Sequence, residues 1–431
     1  MDTLKENILK ITEDCFAVQK YISLAELTRY VLMILETIYD KKDFEKQVFP
    51  PMVKQLIAQQ YPLYYGKHYR GLTKINNSHI VNKLRELPLV PQRSPEWYKL
   101  KENSIGASES ASLWNDNPYG TKTALLHKKA GEIAKDSSVG SGGTVHMMHG
   151  IKYEPVIQML YCKKHNTMLY EFGSIVHPEL PMVSASPDGI TPEGVMIEIK
   201  APLSRVINGI PPKYYWYQMQ QQLQVCGLDK VDFIECKITE YFNYDLFLTD
   251  YDHENDSNLC LAENGLAKGI IAECFSLDPS GNRANSYIYP PELYNTIDRY
   301  KQWMDSVKIE IDGSDMTIFN RFIYWKLEVY SECEVWRDDY WWSTAKQDYI
   351  DFWNKVEYCR KNGADSIEIT KKPIYKRTYN KNKTTCLIDD SDSRPVVTKY
   401  DRVVPPKISE WCDEQEPIRN DLVEKCMIDS N

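Results

Sequence analysis

The sequence predicts an α/β protein with a core of mixed helix and strand over residues 91–240. This core lies between a helical N-terminal module, 1–90, and an acidic then helical, Trp-rich C-terminal extension, 241–368, which packs on it. A basic segment and tail follow over 369–431. Three observations carry this reading. Apolar residues recur at three- and four-residue steps near the N-terminus. A β-branched run, Val195 to Lys200, alternates as a strand does. Aromatic helical patterns, WRDDYWW and FWNKVEYCRKNG, close the region before Gly363.

In the N-terminal module, Leu24, Leu27, Val31, Ile34, Leu35 and Ile38 define one helix face. Thr12 and Ser23 are candidate N-caps, and Glu26 three residues beyond Ser23 completes a capping box. Pro50-Pro51 interrupts the region. The most apolar stretch, Tyr30 to Ile38, is too short to span a bilayer, which needs about 20 apolar residues. It reads as a buried helix.

Between Lys67 and Lys101 the balance is basic: Lys67, Arg70, Lys74, Lys83, Arg85, Arg93, Lys99 and Lys101 are opposed by Glu86 and Glu96. This is a solvated surface or a phosphate-contacting one. Ser137 to Gly143 reads as a flexible loop. After Tyr241 the chain turns acidic, and Ile318 to Gly363 reads as helical. The segment Ile369 to Ile388 has six basic residues, no acidic one, and Tyr375 and Tyr379 interleaved.

With 431 residues, 42% hydrophobic and 26% charged, the composition is that of a globular protein of two or three domains. Tyrosine is abundant at 30, with 10 Trp, enough both for cores and for base stacking. The net charge of −9 argues against a protein that simply coats nucleic acid. None of the 11 cysteines falls in a C-x-x-C pair, which argues against a zinc ribbon or iron–sulfur cluster. With no apolar leader at MDTLKENILK, free thiols in an intracellular compartment are expected. His146 and His149 have no further ligands at zinc spacing. No phosphate-loop motif occurs, so no nucleotide cofactor is expected, and no Gly-x-Ser-x-Gly elbow is present.

The chemistry concentrates in MVSASPDGITPEGVMIEIKAP, Met182 to Pro202. Pro187-Asp188-Gly189 is a turn, and Val195 to Lys200 a strand. Side chains alternate along a strand, so Val195, Ile197 and Ile199 face a core while Met196, Glu198 and Lys200 face the other way together. Two carboxylates, Asp188 and Glu198, with the Ile199 carbonyl, make an oxygen donor set suited to Mg²⁺ or Mn²⁺. A metal there polarises a phosphodiester and acidifies a bound water, and Lys200 offsets charge in the transition state. A surface hairpin with a salt bridge has the same signature.

Upstream, Glu154 in H-G-I-K-Y-E-P stands at a helix start, with Pro155 in the first turn, and can add a third carboxylate. Downstream, Gln218 and Gln222 share a helix face by their four-residue spacing, and such amides position a water or phosphate without charge. Gln220 lies between them. Ser108 can cap a helix whose backbone N–H groups admit a phosphate.

In order, these pieces are R-S-x-E-W from Arg93, I-G-A-S ending at Ser108, H-G-x-x-x-E ending at Glu154, S-P-D-G around Asp188, E-x-K at Glu198 and Lys200, and Y-x-x-Q-x-Q from Tyr215. Together they resemble the lambda-exonuclease/YqaJ-like viral recombinase family of the PD-(D/E)XK nuclease superfamily, in the versions found in large eukaryotic DNA viruses. The resemblance covers residues 91–240. It implies a restriction-endonuclease-like core, a mixed central sheet flanked by helices. It implies a Mg²⁺-dependent exodeoxyribonuclease acting on linear double-stranded DNA from an end, 5′ to 3′, in viral DNA recombination, replication or repair. Asp188 and Glu198 then ligate metal, Lys200 and Gln218 act at the site, and Glu154 is a candidate ligand to a second metal. Arg93, Lys101, Ser108, Gln220 and Gln222 contact DNA. Lys101 departs from the family's usual arginine, keeping the charge but not the two-pronged donor. DNA ends, a single-strand-annealing or single-strand-binding protein, and a homo-oligomer are the implied partners. The place of action is intracellular, in the host cytoplasm or nucleus if the protein is viral. A structure- or sequence-specific endonuclease, and a non-catalytic DNA-binding scaffold on the same fold, are the alternatives.

Overall fold

The computed structural model of the chain describes residues 4–18, 24–41, 44, 48–60, 76–88, 90, 94–131, 145–277, 283–314 and 317–363. Ser23, Lys67, Arg70, Lys74, Arg93 and the basic segment 369–388 lie outside them. The described chain gathers into two compact units: residues 4–158, 166–237 and 331–363, and residues 159–165 and 238–330.

The first unit opens with helices α1 (Leu4–Val18), α2 (Leu24–Ile38) and α3 (Pro50–Gln60). Their apolar stripes meet in one core: Leu4 and Ile8, then Leu27, Val31 and Leu35, then Met52, Val53, Leu56 and Ile57. Of the predicted α2 face, Leu24, Leu27, Val31 and Leu35 are buried, Ile34 is half-buried and Ile38 is exposed. Thr12 is not an N-cap. It lies inside α1, where its hydroxyl donates back to the Ile8 carbonyl at 2.5 Å. Pro50 and Pro51 occupy the first two positions of α3, where a missing N–H is harmless.

Short helices α4 (Ser78–Arg85) and α5 (Pro95–Glu102) lead into the core. Ser94 caps α5 by accepting from Trp97 N at 3.1 Å, with Pro95 next in line, so R-S-x-E-W is in part a helix-start motif. Strand β1 (Ile105–Gly106) runs parallel to β3 (Val183–Ala185), which pairs antiparallel with β2 (Ile175–Val176). Between β1 and these strands come a 3₁₀ helix (Ala107–Trp114), α6 (Lys122–Ala130) and α7 (Val145–His165). Ser108 does not cap that 3₁₀ helix, because Gly106 holds the cap position and Ser108 is an exposed residue of its first turn.

Two predicted boundaries are corrected. Glu154 and Pro155 sit mid-way along the 21-residue α7, not at its start. Proline in a helix interior loses one backbone bond and costs about 3 kcal/mol. Here Tyr153, Val156 and Ile157, all fully buried, hold the helix through it. Residues 318–336 are strand rather than helix, forming most of β9 (Thr317–Trp336). Alternate side chains, Ile323, Trp325 and Leu327, then Cys333 and Val335, are buried, which is the two-residue period of a strand. The predicted Trp-rich helix begins only afterwards, as α11 (Asp339–Asn362), named after α8 (Lys213–Cys226), α9 (Tyr244–Thr249) and α10 (Ile297–Asp312).

In the first unit, β4 (Gly189–Ile190), β5 (Val195–Lys200), β6 (Lys230–Glu240) and the end of β9 are successive neighbours in the larger sheet. In the second unit, the end of β6 is followed by β9, β7 (Lys268–Leu277) and β8 (Arg283–Ile288). Helix α10 packs Tyr300, Trp303, Val307 and Ile311 against Ile270, Ala272 and Cys274 of β7. Gly269 is tightly enclosed there, since a Cβ would meet the Tyr300 hydroxyl at 2.5 Å. The fold is therefore mixed α/β, a mixed sheet with helices against it.

No disulfide joins the eight described cysteines. Among the described residues no helix is long and apolar enough to cross a membrane.

Candidate active site

The site is built by one ladder. Strand β4 pairs antiparallel with β5, Gly189 opposite Ile197, so Asp188 falls opposite Glu198. Residues opposite one another across a ladder have Cβ atoms about 5 Å apart. Asp188 Oδ2 also accepts from Ile199 N at 2.7 Å, and Gln158 of α7 donates to the Asp188 carbonyl at 2.8 Å. The Pro-Asp-Gly turn and the E-x-K strand are thus locked to each other.

Both faces of β5 are covered. Ile197 is buried on one side, and Met196 and Glu198 on the other, because α8 lies over the face that carries Glu198. The two helix glutamines do what their spacing suggests: Gln218 donates to Glu198 Oε1 at 2.6 Å and Gln222 to Oε2 at 2.7 Å. Lys200 pairs with Oε1 as well. Glu198, 1% exposed, therefore has three donors on two oxygens. The Lys200 ammonium also lies 4.7 Å from the centre of the Tyr215 ring.

Electrostatics separate the roles. Burial pushes the Asp188 carboxyl well above its usual range, and the neighbouring Glu198 and Glu154 charges push it further; Lys200 and the Ile199 N–H only partly oppose them. Glu154 is thus within electrostatic reach of Asp188. Burial by itself lowers the Lys200 pKa, but Glu198 and Asp188 outweigh it and raise the pKa, so Lys200 is an ammonium.

Among the described residues, no group of three His, Cys, Asp or Glu is arranged to hold a metal ion. The donor chemistry nevertheless suits a hard cation: two facing carboxylates with an excess of negative charge and the backbone of Ile199 between them. A cation there would share the countercharge that Lys200 now supplies to Glu198.

Other expected residues are placed elsewhere. Gln220 is not a DNA contact: it is fully buried, donates to the Trp336 carbonyl at 2.8 Å and accepts from Asp338 N at 2.7 Å. Gln222 is equally buried, and its amide serves Glu198. Arg93 lies outside the described residues. Lys101 stands 4.0 Å over the Trp97 ring, and burial lowers its pKa against the pull of Glu109. Glu109 pairs with Lys128 at 2.8 Å and with the buried Lys129 at 2.7 Å. Lys101, Lys128 and Lys129 thus outnumber one carboxylate beside the exposed Ser108.

Sequence reasoning missed several participants. Gln221 is fully buried and donates to the carbonyls of Ile105 and Ser184, both at 2.8 Å, stitching β1 to β3. Glu235, opposite Lys200 in the parallel β5–β6 ladder, pairs with Arg205. The i,i+4 spacing that exposed Gln218 and Gln222 has no counterpart for these contacts, which join residues distant in sequence.

The segment that carries the ladder, the paired carboxylates, the lysine and the glutamine helix is similar to a known family. Residues 96–229 match the YqaJ-like viral recombinase domain. Asp188, Glu198, Lys200 and Gln218 all lie inside the YqaJ-like segment, as do Lys101, Ser108 and Glu154. An uncharacterized protein, R354, of Acanthamoeba polyphaga mimivirus is 29% identical over 293 residues, 62% of this chain and 51% of its own length. The chain spans about half the length of that curated relative. Two crystal structures of the alkaline exonuclease LHK-Exo from Laribacter hongkongensis, one in complex with dAMP, share 16% identity with it. Each gives a TM-score of 0.36 over 62% of this chain and 95% of the exonuclease.

Proposed function

We propose that the chain is a Mg²⁺-dependent deoxyribonuclease that hydrolyses phosphodiester bonds of linear double-stranded DNA from an end, in the 5′ to 3′ direction. The observation that carries this reading is the Asp188–Glu198–Lys200 constellation: two carboxylates brought face to face by one ladder, a charged lysine beside them, and two glutamines holding the second carboxylate. The YqaJ-like match supports the reaction class.

Asp188 and Glu198, with the Ile199 carbonyl, would hold Mg²⁺, or Mn²⁺, which takes the same oxygen donors. Bound there, a divalent ion supplies Lewis acidity and an acidified water. Lys200, an ammonium, acts as a donor and not as a base: it holds the attacking water or offsets charge on the pentacovalent phosphorane. Gln218 and Gln222 keep the Glu198 carboxylate in one orientation. Glu154 adds negative charge to the site and would serve a second ion. Lys101 and Lys128 next to Ser108 meet the DNA backbone, with the buried Lys129 adding positive charge behind them. The product is single-stranded DNA for recombination, replication or repair, with a single-strand-binding or annealing protein as its receiver. The viral relative supports action at a viral replication site.

The test is digestion of end-labelled linear duplex beside a covalently closed circle, with Mg²⁺ or EDTA, for the wild type and Asp188→Ala. Shortening of linear DNA alone, stopped by EDTA and by the substitution, is the expected result, and the label position reads polarity. Cutting of the circle would replace the exonuclease with an endonuclease. No cutting under Mg²⁺ or Mn²⁺ would leave a DNA-binding scaffold.

A further inference from the structure

Beside the catalytic lysine, three tyrosines form a continuous series that runs outward to solvent. Tyr215 lies under Lys200, with 4.7 Å from the ammonium to its ring centre. Tyr214 packs on Tyr215 at 4.3 Å between ring centres. Tyr119 stands edge to face with Tyr214 at 6.2 Å and 87°. Tyr214 and Tyr215 are half-buried, whereas Tyr119 is 82% exposed. Single exposed aromatics are ordinary on protein surfaces. An aromatic held out by a braced turn, and continuous with a catalytic group, is less so.

The turn is braced by side chains. Asn117 Oδ1 accepts from Tyr119 N at 2.9 Å, while its amide donates to Ser112 Oγ at 2.9 Å. Asn115, in the left-handed region at φ 57°, accepts from Lys122 N at 2.9 Å. Pro118 restricts the backbone just before Tyr119. The backbone that carries the ring therefore has little entropy left to lose on contact, which favours binding. Arg205 adds a cation 5.8 Å from the Tyr215 ring centre.

We propose that Tyr119, Tyr214 and Tyr215 form a stacking track for unpaired bases at the DNA end, next to the phosphodiester that reaches Lys200. The inference rests on the nuclease reading above. Aromatic rings bind bases only where the base faces are free, so the track selects frayed or single-stranded ends over blunt paired ones. It tolerates any base, because every base has a π-face. Tyr119 is a positioning residue: it touches the end and leaves the reaction at Lys200 unchanged in kind.

The experiment uses the full chain with duplexes that are blunt or carry a short single-stranded extension, with 5-iododeoxyuridine at the terminal positions. Binding is measured in EDTA, where cleavage is stopped, and photo-crosslinked peptides are identified by mass spectrometry. Cleavage of the same duplexes is followed in Mg²⁺. The wild type is expected to prefer the extended end and to crosslink at Tyr119 or Tyr214. Tyr119→Ala should bind extended ends about 5- to 150-fold more weakly, keep its blunt-end affinity and lose the crosslink. Tyr119→Trp should restore both, and Tyr119→Leu, apolar but unable to stack, should not. If Tyr119→Ala matches the wild type on extended ends while the wild type cuts DNA, the track is wrong and the nuclease reading stands. If the wild type neither binds nor cuts any of the duplexes, both fall.

Discussion

Asp188→Asn should make the metal-free protein more stable while abolishing cleavage. Burial and the charges of Glu198 and Glu154 disfavour the Asp188 carboxylate, and Lys200 only partly compensates. Across a ladder, opposed Cβ atoms lie about 5 Å apart. For two like charges about 5 Å apart, with an effective dielectric constant of about 20, the repulsion is about 3 kcal/mol. Allowing for Lys200, removal of one charge should return about 1–2 kcal/mol. For a domain of this size that is a rise in Tm of roughly 2–8 °C. The amide oxygen of asparagine can still accept from Ile199 N, so the turn is preserved.

The pH dependence fixes the sign. A carboxyl whose folded pKa is raised binds more protons in the native than in the unfolded state, so wild-type stability falls as pH rises from about 3.9, the unfolded value, through the folded one. The gain of Asp188→Asn should therefore be fully present above the raised folded pKa and vanish as pH falls toward the unfolded value. Thermal melts in EDTA across pH, with melts in Mg²⁺ and digestion assays alongside, read all of this. Mg²⁺ should raise the wild-type Tm and leave the variant's unchanged. A variant that is less stable than wild type in EDTA at neutral pH, or one that still cuts DNA, would refute the reasoning.

Gln218→Leu should remove a charge-assisted hydrogen bond from Glu198 worth about 1.5–3 kcal/mol; a fall in kcat larger than any rise in KM is expected, and steady-state digestion measures it. Lys129→Met should cost about 3 kcal/mol by removing one of two cationic partners of Glu109, as read from urea unfolding. Burial alone would raise the Glu109 pKa, but Lys129 and Lys128 lower it, so this loss should be present above the unfolded carboxyl pKa and disappear as pH falls through the folded one. Gly269→Ala should destabilise by about 1–3 kcal/mol or more, because its Cβ would meet the buried Tyr300 hydroxyl at 2.5 Å and the buried Trp325 ring at 2.7 Å; chemical denaturation with a site-specific probe in residues 238–330 reads it.

Much of the site was legible because its signals are local. The Pro-Asp-Gly turn, the alternation through Val195–Lys200 and the four-residue step from Gln218 to Gln222 each follow from backbone geometry over a few residues. The misread segments were those where a local pattern competes with distant burial. Pro155 signals a helix start, yet Tyr153, Val156 and Ile157 are buried deeply enough to carry α7 through it. The segment 318–336 has enough aromatic and charged residues to look helical, and its two-residue period is decisive only once the neighbouring strands bury Ile323, Trp325 and Leu327. Gln220 looked equivalent to its neighbours in a glutamine run, but 3.6 residues per turn points it toward Trp336 and Asp338 instead of Glu198.

By itself the sequence determined the mixed α/β class, the strand bearing Glu198 and Lys200, the turn bearing Asp188, and the helix whose glutamines share a face. These depend on periodicity and turn chemistry, which act over fewer than about ten residues. Only the tertiary structure decided that Asp188 stands opposite Glu198, that three donors meet on Glu198, and that Tyr119 continues an aromatic series to Lys200. Those are distances between segments far apart along the chain, set by strand register and by the packing of α8 over β5, and no local pattern encodes them.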